Sequence, residues 1–286
     1  MRNLLPPPWI KFPSMDPFSI GWRMGAGEDY KFKFNGWLKT LSQDEQSQYE
    51  QLFAEPATWR GYWDERLGSD ESALFIYNDF ILNLWGCEPR YDLKWLKKRY
   101  NAGKSDKFLL FWGHQKSANL SASCLSQWYA SIFWEDESRY ICAEQYMMAK
   151  KAECFGDKEA LRQILSAKDP AQMKALGRQV RGFDAKVWDE VKFGVVLNAS
   201  YLKFSQNASL REFLLSTGSK ILVEASPVDK IWGIGLGASD ENAQNPMKWR
   251  GQNLLGFALM RARDEIAKVY KNVHLCDARE LNLDHL

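Results

Sequence analysis

The sequence predicts an α+β protein that is predominantly helical and contains a small sheet. Segments with helix-start and helix-stop residues outnumber strand-like runs, and the two kinds do not alternate strictly, which argues against a doubly wound sheet. Hydrophobic residues make up 45% and charged residues 26% of the 286 residues, as is typical of a globular protein with a buried core. No internal repeat of fixed period is visible in the sequence.

The first 91 residues are predicted to form an accessory region of unknown function. Proline clusters favour an extended backbone, alternation of apolar and polar residues favours a strand, and Ser-x-x-Glu favours a helix start. These patterns predict an extended arm at Pro6–Pro8, a half-buried strand over 30–34, a capped helix from Ser42 to about Pro56, and an apolar run of undecided type over 73–85.

From about residue 91 the sequence predicts a series of amphipathic helices and two short strands. Asp184 is a suitable N-cap for one of these helices, and Gly156 and Gly218 are suitable stop residues for two others. The predicted helices cover 93–100, 142–155, 158–167, 172–180, a segment that starts at Asp184, 209–216 and 254–270, and the predicted strands cover 108–112 and 220–224.

Charge, cysteine and histidine content exclude several classes of protein. The net charge of +2 is too small for a dedicated duplex-DNA binder, although a local basic patch remains open. Five cysteines without metal spacing, three histidines and the lack of a signal peptide favour a reduced, cytoplasmic setting, and we expect neither a metal nor a cofactor. No apolar run reaches the roughly 18 residues of a membrane span, so no membrane association is expected.

The predicted helix over 142–155 carries an acid and an amine on one face. Glu144 and Lys151 are seven residues apart, so they lie within about 20° of each other around the helix axis. Met148 lies between them on the same stripe. The pair is a candidate chemical site, but it can equally be a solvated ion pair that contributes little.

Two loops near the carboxyl-terminal end contain further candidates that local patterns leave open. Asp229 and Trp232 follow a predicted strand, where functional side chains concentrate, yet Asp229 alone is more typical of a turn residue. Gly233 begins a Gly-x-Gly-x-Gly run that lacks the spacing of a dinucleotide fingerprint and favours either a tight loop or a pocket wall. Asn253 precedes the last helix, where it can cap that helix or help to bind an anion. Arg178 is equally ambiguous.

Several separated motifs together resemble one known family. They are AEQYMMAKKA (143–152), LGRQVRGFD (176–184), VW (187–188), KFSQN (203–207), LLSTG (214–218), LVEASPVDKIWGIGL (222–236) and WRGQNLLGFALM (249–260). Their order and spacing resemble the NADAR family, whose name refers to NAD and ADP-ribose, over roughly residues 92–271. The resemblance implies a single NADAR-like domain over 92–286, preceded by the N-terminal extension over 1–91.

The resemblance also implies an enzyme, a hydrolase of N-glycosyl bonds. Its expected substrates are ADP-ribose attached to guanine in nucleic acid, or early ribosylamine intermediates of riboflavin biosynthesis. A partner ADP-ribosyltransferase is a further expectation, and the oligomeric state is not predicted. A non-catalytic module that binds ADP-ribose or NAD is the alternative, although such a module has no need of an acid and an amine together.

The resemblance assigns roles to individual residues. Glu144 matches the family acid, Lys151 its helix lysine and Asp229 the acid before a Trp-Gly pair, and these three are the predicted catalytic residues. The predicted substrate-binding residues are Ser126, Gln127, Trp128, Met148, Arg178, Trp188, Trp232, Gly233 and Asn253. Gln127 and Trp128 stand where many members have Asn and Phe, and Gln145 stands where many have His, which bears on substrate choice.

The expected chemistry follows from the bond that is cleaved. Breaking a ribosyl C–N bond develops positive charge at C1, which a carboxylate such as Glu144 can stabilise while it orients water or exchanges a proton. Asp229 can assist it. A partly buried Lys151 with a lowered pKa can attack C1 and hold the opened sugar as a Schiff base, or it can bind a phosphate as a point charge.

Overall fold

Eleven α-helices and four short strands occupy the described part of this computed structural model, which comprises residues 3–65, 90–115 and 119–281. The helices are α1 (Pro8–Lys11), α2 (Ala26–Leu38), α3 (Gln43–Leu52), α4 (Tyr62–Glu65), α5 (Leu93–Asn101), α6 (Ala143–Cys154), α7 (Lys158–Ser166), α8 (Pro170–Arg178), α9 (Ala185–Ser205), α10 (Ala208–Ser216) and α11 (Leu254–Val269). The strands are β1 (Phe108–Phe111), β2 (Phe133–Glu135), β3 (Ser138–Tyr140) and β4 (Ile221–Glu224). The predicted predominantly helical α+β class is confirmed.

The strand predicted over 30–34 is wrong, because these residues belong to α2. Tyr30, Phe34 and Leu38 are buried, whereas Phe32 is 72% exposed. Burial therefore recurs every four residues, which is the period of a helix, and not at every second residue as in a strand. The alternation over five residues was too short to separate the two patterns.

The extended arm predicted at the amino terminus is also wrong in part. Pro8 begins the short helix α1, a position where the absence of a backbone N–H costs nothing, and Trp9 and Ile10 are buried in the core. Leu4, which precedes α1, is extended and forms a β-bridge with Cys276. The rest of the arm is thus anchored to the carboxyl-terminal segment.

The capped helix predicted from Ser42 is confirmed as α3. The Ser42 hydroxyl accepts a hydrogen bond from the Glu45 N–H, and the Glu45 carboxylate accepts one from the Ser42 N–H, which is a complete capping box. The helix ends before Pro56. The undecided apolar run over 73–85 lies outside the described residues.

The helices predicted after residue 91 are all present, with ends that differ by at most two residues. Asp184 caps α9 as predicted, since its Oδ1 accepts hydrogen bonds from the Lys186 and Val187 N–H groups. α9 packs against α6, α10 and α11, while α6 also packs against α7 and α8. None of the helices in the described ranges is long and apolar enough to cross a lipid bilayer.

Two small sheets accompany the helices. β1 and β4 pair in parallel, with Phe111 opposite Glu224 at their carboxyl ends, which confirms both predicted strands. Because parallel strands end at the same edge, this pairing brings the loops after residues 111 and 224 together. β2 and β3 form an antiparallel hairpin that the sequence does not predict, since three-residue strands are too short to show alternation.

The N-terminal helices pack on the carboxyl-terminal part of the chain. The Ala57 N–H donates to Glu265 Oε1 on α11, and Asn272 Nδ2 donates to the Leu52 carbonyl. Lys33 forms a salt bridge with Glu280. Buried residues of both parts contribute to the same hydrophobic core. The domain boundary expected near residue 91 stays a prediction.

Candidate active site

A cavity of about 850 Å³ lies at the edge where β1 and β4 end. The loop after β1, the turn before Trp128, one face of α6, the end of α8, the start of α9 and the loop after β4 form its wall. The lining residues are Trp112, Gly113, His114, Ser126, Trp128, Glu144, Met147, Met148, Lys151, Lys174, Gly177, Arg178, Trp188, Glu224, Ser226, Val228, Asp229, Lys230, Ile231 and Trp232. Its size is in the range of small-molecule sites.

Glu144 projects from the first turn of α6 and is only 2% exposed. Its N–H donates to the Gln127 carbonyl, which ties this turn to the loop before Trp128. The side-chain Oε1 has no hydrogen-bond partner among the described residues. An acid in this position is costly for folding, because burial with one oxygen unpartnered opposes its charged form.

The surroundings of Glu144 bring its pKa close to neutral pH. Burial is the largest cause and raises the pKa of Glu144 to about 7, and the negative charge of Asp229 acts in the same direction. The positive charges of Lys174 and Arg178 oppose that rise in pKa, and so does a hydrogen bond with Trp128. A carboxyl with a pKa near 7 can both give and accept a proton under physiological conditions.

Lys151 lies on the same face of α6, as its spacing from Glu144 predicts. Its Nζ donates to the Gly177 carbonyl at 2.8 Å and lies 4.0 Å from the centre of the Phe183 ring. The Trp188 ring is 5.9 Å away. Partial burial lowers the pKa of Lys151, so the neutral amine is more accessible than for an exposed lysine.

Asp229 is a turn residue and also a residue of the cavity wall, the two positions between which the sequence did not decide. Its Oδ1 accepts hydrogen bonds from the Ile231 and Trp232 N–H groups, at 2.9 and 2.8 Å, so it shapes the turn. It also lies on the cavity wall. The turn places Trp232 on the wall as well.

Most of the predicted substrate-binding residues meet at this cavity: Ser126, Trp128, Met148, Arg178, Trp188 and Trp232. The other three, Gln127, Gly233 and Asn253, do not line the cavity. Gln127 is buried, with its Oε1 unpartnered among the described residues. At Gly233 a side chain would come within 2.9 Å of the Glu224 carbonyl, and Asn253 is fully buried. The roles of these three in substrate binding stay predictions.

Gln145, the departure from the common family pattern, faces away from the cavity wall. Its Oε1 accepts from the Ile141 N–H, and its Nε2 donates to the carbonyls of Ile164 and Leu165. The side chain therefore joins the start of α6 to the end of α7. Its contacts are structural.

Sequence reasoning missed Glu224 as a member of the site. Glu224 is the last residue of β4, lines the cavity, and has an Oε2 with no hydrogen-bond partner among the described residues. Burial, together with the nearby Asp229 and Glu144 charges, raises the pKa of Glu224 to about 8, against an opposing effect of Lys174. An acid at the end of an otherwise apolar strand was the signal that could have identified it.

Cationic and aromatic groups complete the wall. Lys174 Nζ lies 5.9 Å from the centre of the Trp128 ring, and the His114 ring lies 5.4 Å from the Trp128 ring between centroids. Lys174, Arg178 and Lys230 supply positive charge for an anionic ligand. Among the described residues no group of three His, Cys, Asp or Glu side chains could hold a metal ion.

Comparisons with known proteins agree on one family. The model of the NADAR domain matches residues 110–267. The chain is 44% identical to N-glycosidase R617 of Acanthamoeba polyphaga mimivirus over 57% of this chain and 98% of that protein. It is 34% identical to N-glycosidase Npun_R5314 of Nostoc punctiforme over 46% of this chain and 76% of that protein. It is also 31% identical to the chloroplastic riboflavin biosynthesis protein PYRR of Zea mays, over 46% of this chain and 20% of that protein.

Proposed function

This chain belongs to the NADAR family and is a hydrolase of N-glycosyl bonds, and we propose that the bond it cleaves joins C1 of a ribose to a nitrogen of its leaving group. The observation that carries this proposal is the buried acid of the cavity. Glu144 Oε1 is enclosed and has no hydrogen-bond partner in the described part of the chain, on a wall that also carries tryptophan rings and cationic side chains. A buried acid with an unpartnered oxygen destabilises the folded state, so its presence favours a chemical role over a structural one.

The substrate we propose is ADP-ribose attached to guanine in nucleic acid. Lys174, Arg178 and Lys230 offer charge for phosphates, and the indoles of Trp188 and Trp232 offer flat surfaces for a base or ribose. Trp112 is 60% exposed at the same cavity, where it can contact a nucleotide that extends outward. The proposed source of this substrate is a partner ADP-ribosyltransferase.

A ribosylamine intermediate of riboflavin biosynthesis is the second candidate substrate. The likeness to a maize protein of that pathway favours it, and it too contains a phosphate and a ribosyl C–N bond. The two candidates share the reacting bond and differ in what surrounds it.

Glu144 acts on C1 in the proposed reaction. As the C1–N bond breaks, its electron pair leaves with the nitrogen, and positive charge develops at C1. The Glu144 carboxylate stabilises that charge and takes a proton from the attacking group. Asp229, on the same wall, adds negative charge near this centre.

Lys151 is proposed as the group that attacks C1. Its neutral amine forms a bond to C1 as the C1–N bond breaks, and gives one proton to Glu144. The bond from C1 to the ring oxygen then breaks, the ring oxygen takes the second amine proton, and the resulting imine is later hydrolysed by water to return the free amine. Borohydride added during turnover reduces such an imine, so we expect a covalent sugar adduct at Lys151 by mass spectrometry. Full activity of Lys151→Ala without any adduct would leave this lysine a binding role only.

The test of the proposed function offers purified protein two probes side by side. They are an ADP-ribosylated guanine oligonucleotide and a phosphoribosylamine intermediate of riboflavin biosynthesis, with products measured by mass spectrometry. We expect release of ADP-ribose from the oligonucleotide and a loss of turnover of about 10³-fold in Glu144→Gln. The matched control is Glu212→Gln, which changes an exposed acid on α10 and should leave turnover unchanged.

Three results would contradict parts of this proposal. Cleavage of the ribosylamine alone assigns the second substrate, and tight binding of either probe without product assigns a binding module. Full turnover by Glu144→Gln removes Glu144 from the reaction.

A further inference from the structure

A third carboxyl, besides Glu144 and Asp229, faces the cavity and has no assigned part in the reaction. Glu224 shares three properties with Glu144: it lines the cavity, one of its oxygens is buried, and that oxygen has no hydrogen-bond partner among the described residues. One unpaired buried acid is uncommon in a folded protein, and two on one wall are harder to attribute to packing. Because both carboxyls line the same cavity, we expect both to take part in the same reaction.

The fold holds Glu224 in a fixed position. Asn253 Oδ1 accepts a hydrogen bond from the Glu224 N–H, and Asn253 Nδ2 donates to the Leu222 carbonyl, both at 2.9 Å. The Ile234 N–H donates to the Glu224 carbonyl, also at 2.9 Å. A Cβ at Gly256 would collide with the Leu222 carbonyl, so close packing of α11 requires glycine there. The carboxyl therefore projects from a backbone held on both sides.

The charged groups that act on Glu224 are Glu144, Asp229 and Lys174. Burial is the largest cause that raises the pKa of Glu224 to about 8, and the two acids add to it while Lys174 opposes it. The pKa of Glu144 is about 7. Two neighbouring carboxyls with these values titrate as a pair, which holds about one proton between them near neutral pH.

We propose that Glu224 is a second catalytic carboxyl that donates a proton to the departing nitrogen, while Glu144 is the carboxylate that faces C1. This inference rests on the proposed function. The Glu224 O–H bond breaks as the C1–N bond breaks, the nitrogen keeps the C–N electron pair, and it takes the Glu224 proton. Glu144 receives a proton from the water or amine that attacks C1. Return of that proton to Glu224, directly or through solvent, completes the cycle.

The pH dependence of turnover tests this division of roles. Wild-type kcat should fall below about pH 7 as Glu144 gains a proton and above about pH 8 as Glu224 loses one. In Glu224→Gln we expect kcat to fall by about 10²–10³-fold, the alkaline limb to disappear, and KM to change by less than about threefold. Glu144→Gln should instead lose the acidic limb. Glu212→Gln should keep the wild-type profile.

The outcomes separate this inference from the proposed function. If wild-type protein cleaves neither probe, the proposed function fails. If it cleaves a probe and Glu224→Gln keeps its turnover and its alkaline limb, only the role of Glu224 is overturned. If Glu224→Gln does not fold, Glu224→Asp decides: the proposal expects a retained alkaline limb with kcat lowered at least tenfold, and unchanged kcat overturns it.

Discussion

Glu135, which packs against α6, and Glu144, which lies on α6, differ in the hydrogen-bond partners of their carboxyl groups. Glu135, on β2, is fully paired: its Oε1 accepts from the Tyr146 hydroxyl at 2.6 Å and from Asn198 Nδ2 at 3.1 Å, and its Oε2 pairs with Lys150 at 2.6 Å. Glu144, on the cavity side of α6, has an enclosed oxygen with no such partner within the ranges that the structure describes. One helix thus separates a satisfied polar cluster from an unsatisfied one.

The difference teaches which polar groups stabilise the fold and which are available for chemistry. A buried acid whose oxygens are all bonded makes its neighbours rigid and has little capacity to accept a new partner. A buried acid with an open oxygen costs stability and is free to act on a ligand. We therefore expect substitutions in the first cluster to alter unfolding, and substitutions in the second to alter turnover.

The largest effect on stability is expected at the paired acid. Glu135→Gln keeps the shape of the side chain but removes the charge opposite the mostly buried Lys150, which would keep an ion pair with the more exposed Glu153. The free energy of unfolding should fall by about 3 kcal/mol, as measured by chemical denaturation. A fall of less than about 0.5 kcal/mol would show that the cluster does not stabilise the fold.

A somewhat smaller effect is expected at Lys203, which is 1% exposed. Its Nζ donates to the Cys124 and Ser126 carbonyls, at 2.7 and 2.9 Å, and so fixes the turn that leads to Trp128. Lys203→Met removes the Lys203 donor from the Cys124 carbonyl and leaves the Ser126 carbonyl with the longer bond from the Tyr129 N–H. It should lower the free energy of unfolding by about 2 kcal/mol. KM should also rise, because Trp128 loses its support. Lys158→Met, on the exposed side of α7, is the control and should change neither quantity.

The unsatisfied acids should make stability depend on pH. Both pKa values are raised on folding, from 4.5 to about 7 for Glu144 and to about 8 for Glu224, so the folded protein holds these protons more tightly than the unfolded chain. Their contribution is fully present below about pH 4.5 and is lost as the pH rises through 7 and 8.

Denaturation at two pH values measures that contribution. Glu144→Gln cannot ionise, so at pH 9 it should be more stable than wild type by about 1–2 kcal/mol, and at pH 5 the two proteins should differ by much less. A constant difference between wild type and variant at both pH values would argue against proton release from Glu144.

The smallest effect is expected at the cavity rim. Trp112 is 60% exposed on the cavity wall, so we expect it to contact a ligand only at the outer part of the site. Trp112→Ala should raise KM for the oligonucleotide by about threefold and leave kcat unchanged, because an exposed ring contributes a modest amount of contact. An equal fall of kcat would place this tryptophan closer to the reacting bond.

Local signals in the sequence were sufficient for most helices. The Ser42–Glu45 capping box and the Asp184 cap mark true helix starts, since capping depends on residues only two or three positions apart. The alternation over 30–34 misled because five residues fit a strand and a helix equally, and the burial of Leu38 one turn later decides between them. Short elements lack that additional turn.

The candidate site was predicted in part. The stripe of Glu144, Met148 and Lys151 follows from helix geometry alone, and the structure places all three on the cavity wall. Glu224 does not follow from helix geometry. Its position at the end of an apolar strand is a local signal, but that this strand ends at the cavity depends on the pairing of β4 with β1, more than one hundred residues earlier in the chain. Contacts between distant segments are not visible in local patterns.

One paired measurement decides whether Glu144 acts in the reaction while Glu135 stabilises the fold. Glu144→Gln and Glu135→Gln remove the same charge from opposite sides of α6, so turnover per folded molecule and the free energy of unfolding should be measured on both. We expect Glu144→Gln to lose about 10³-fold in kcat at unchanged or increased stability, and Glu135→Gln to lose stability while its folded fraction keeps turnover within about threefold. Equal turnover in the two variants, or a loss of stability confined to Glu144→Gln, would contradict the account.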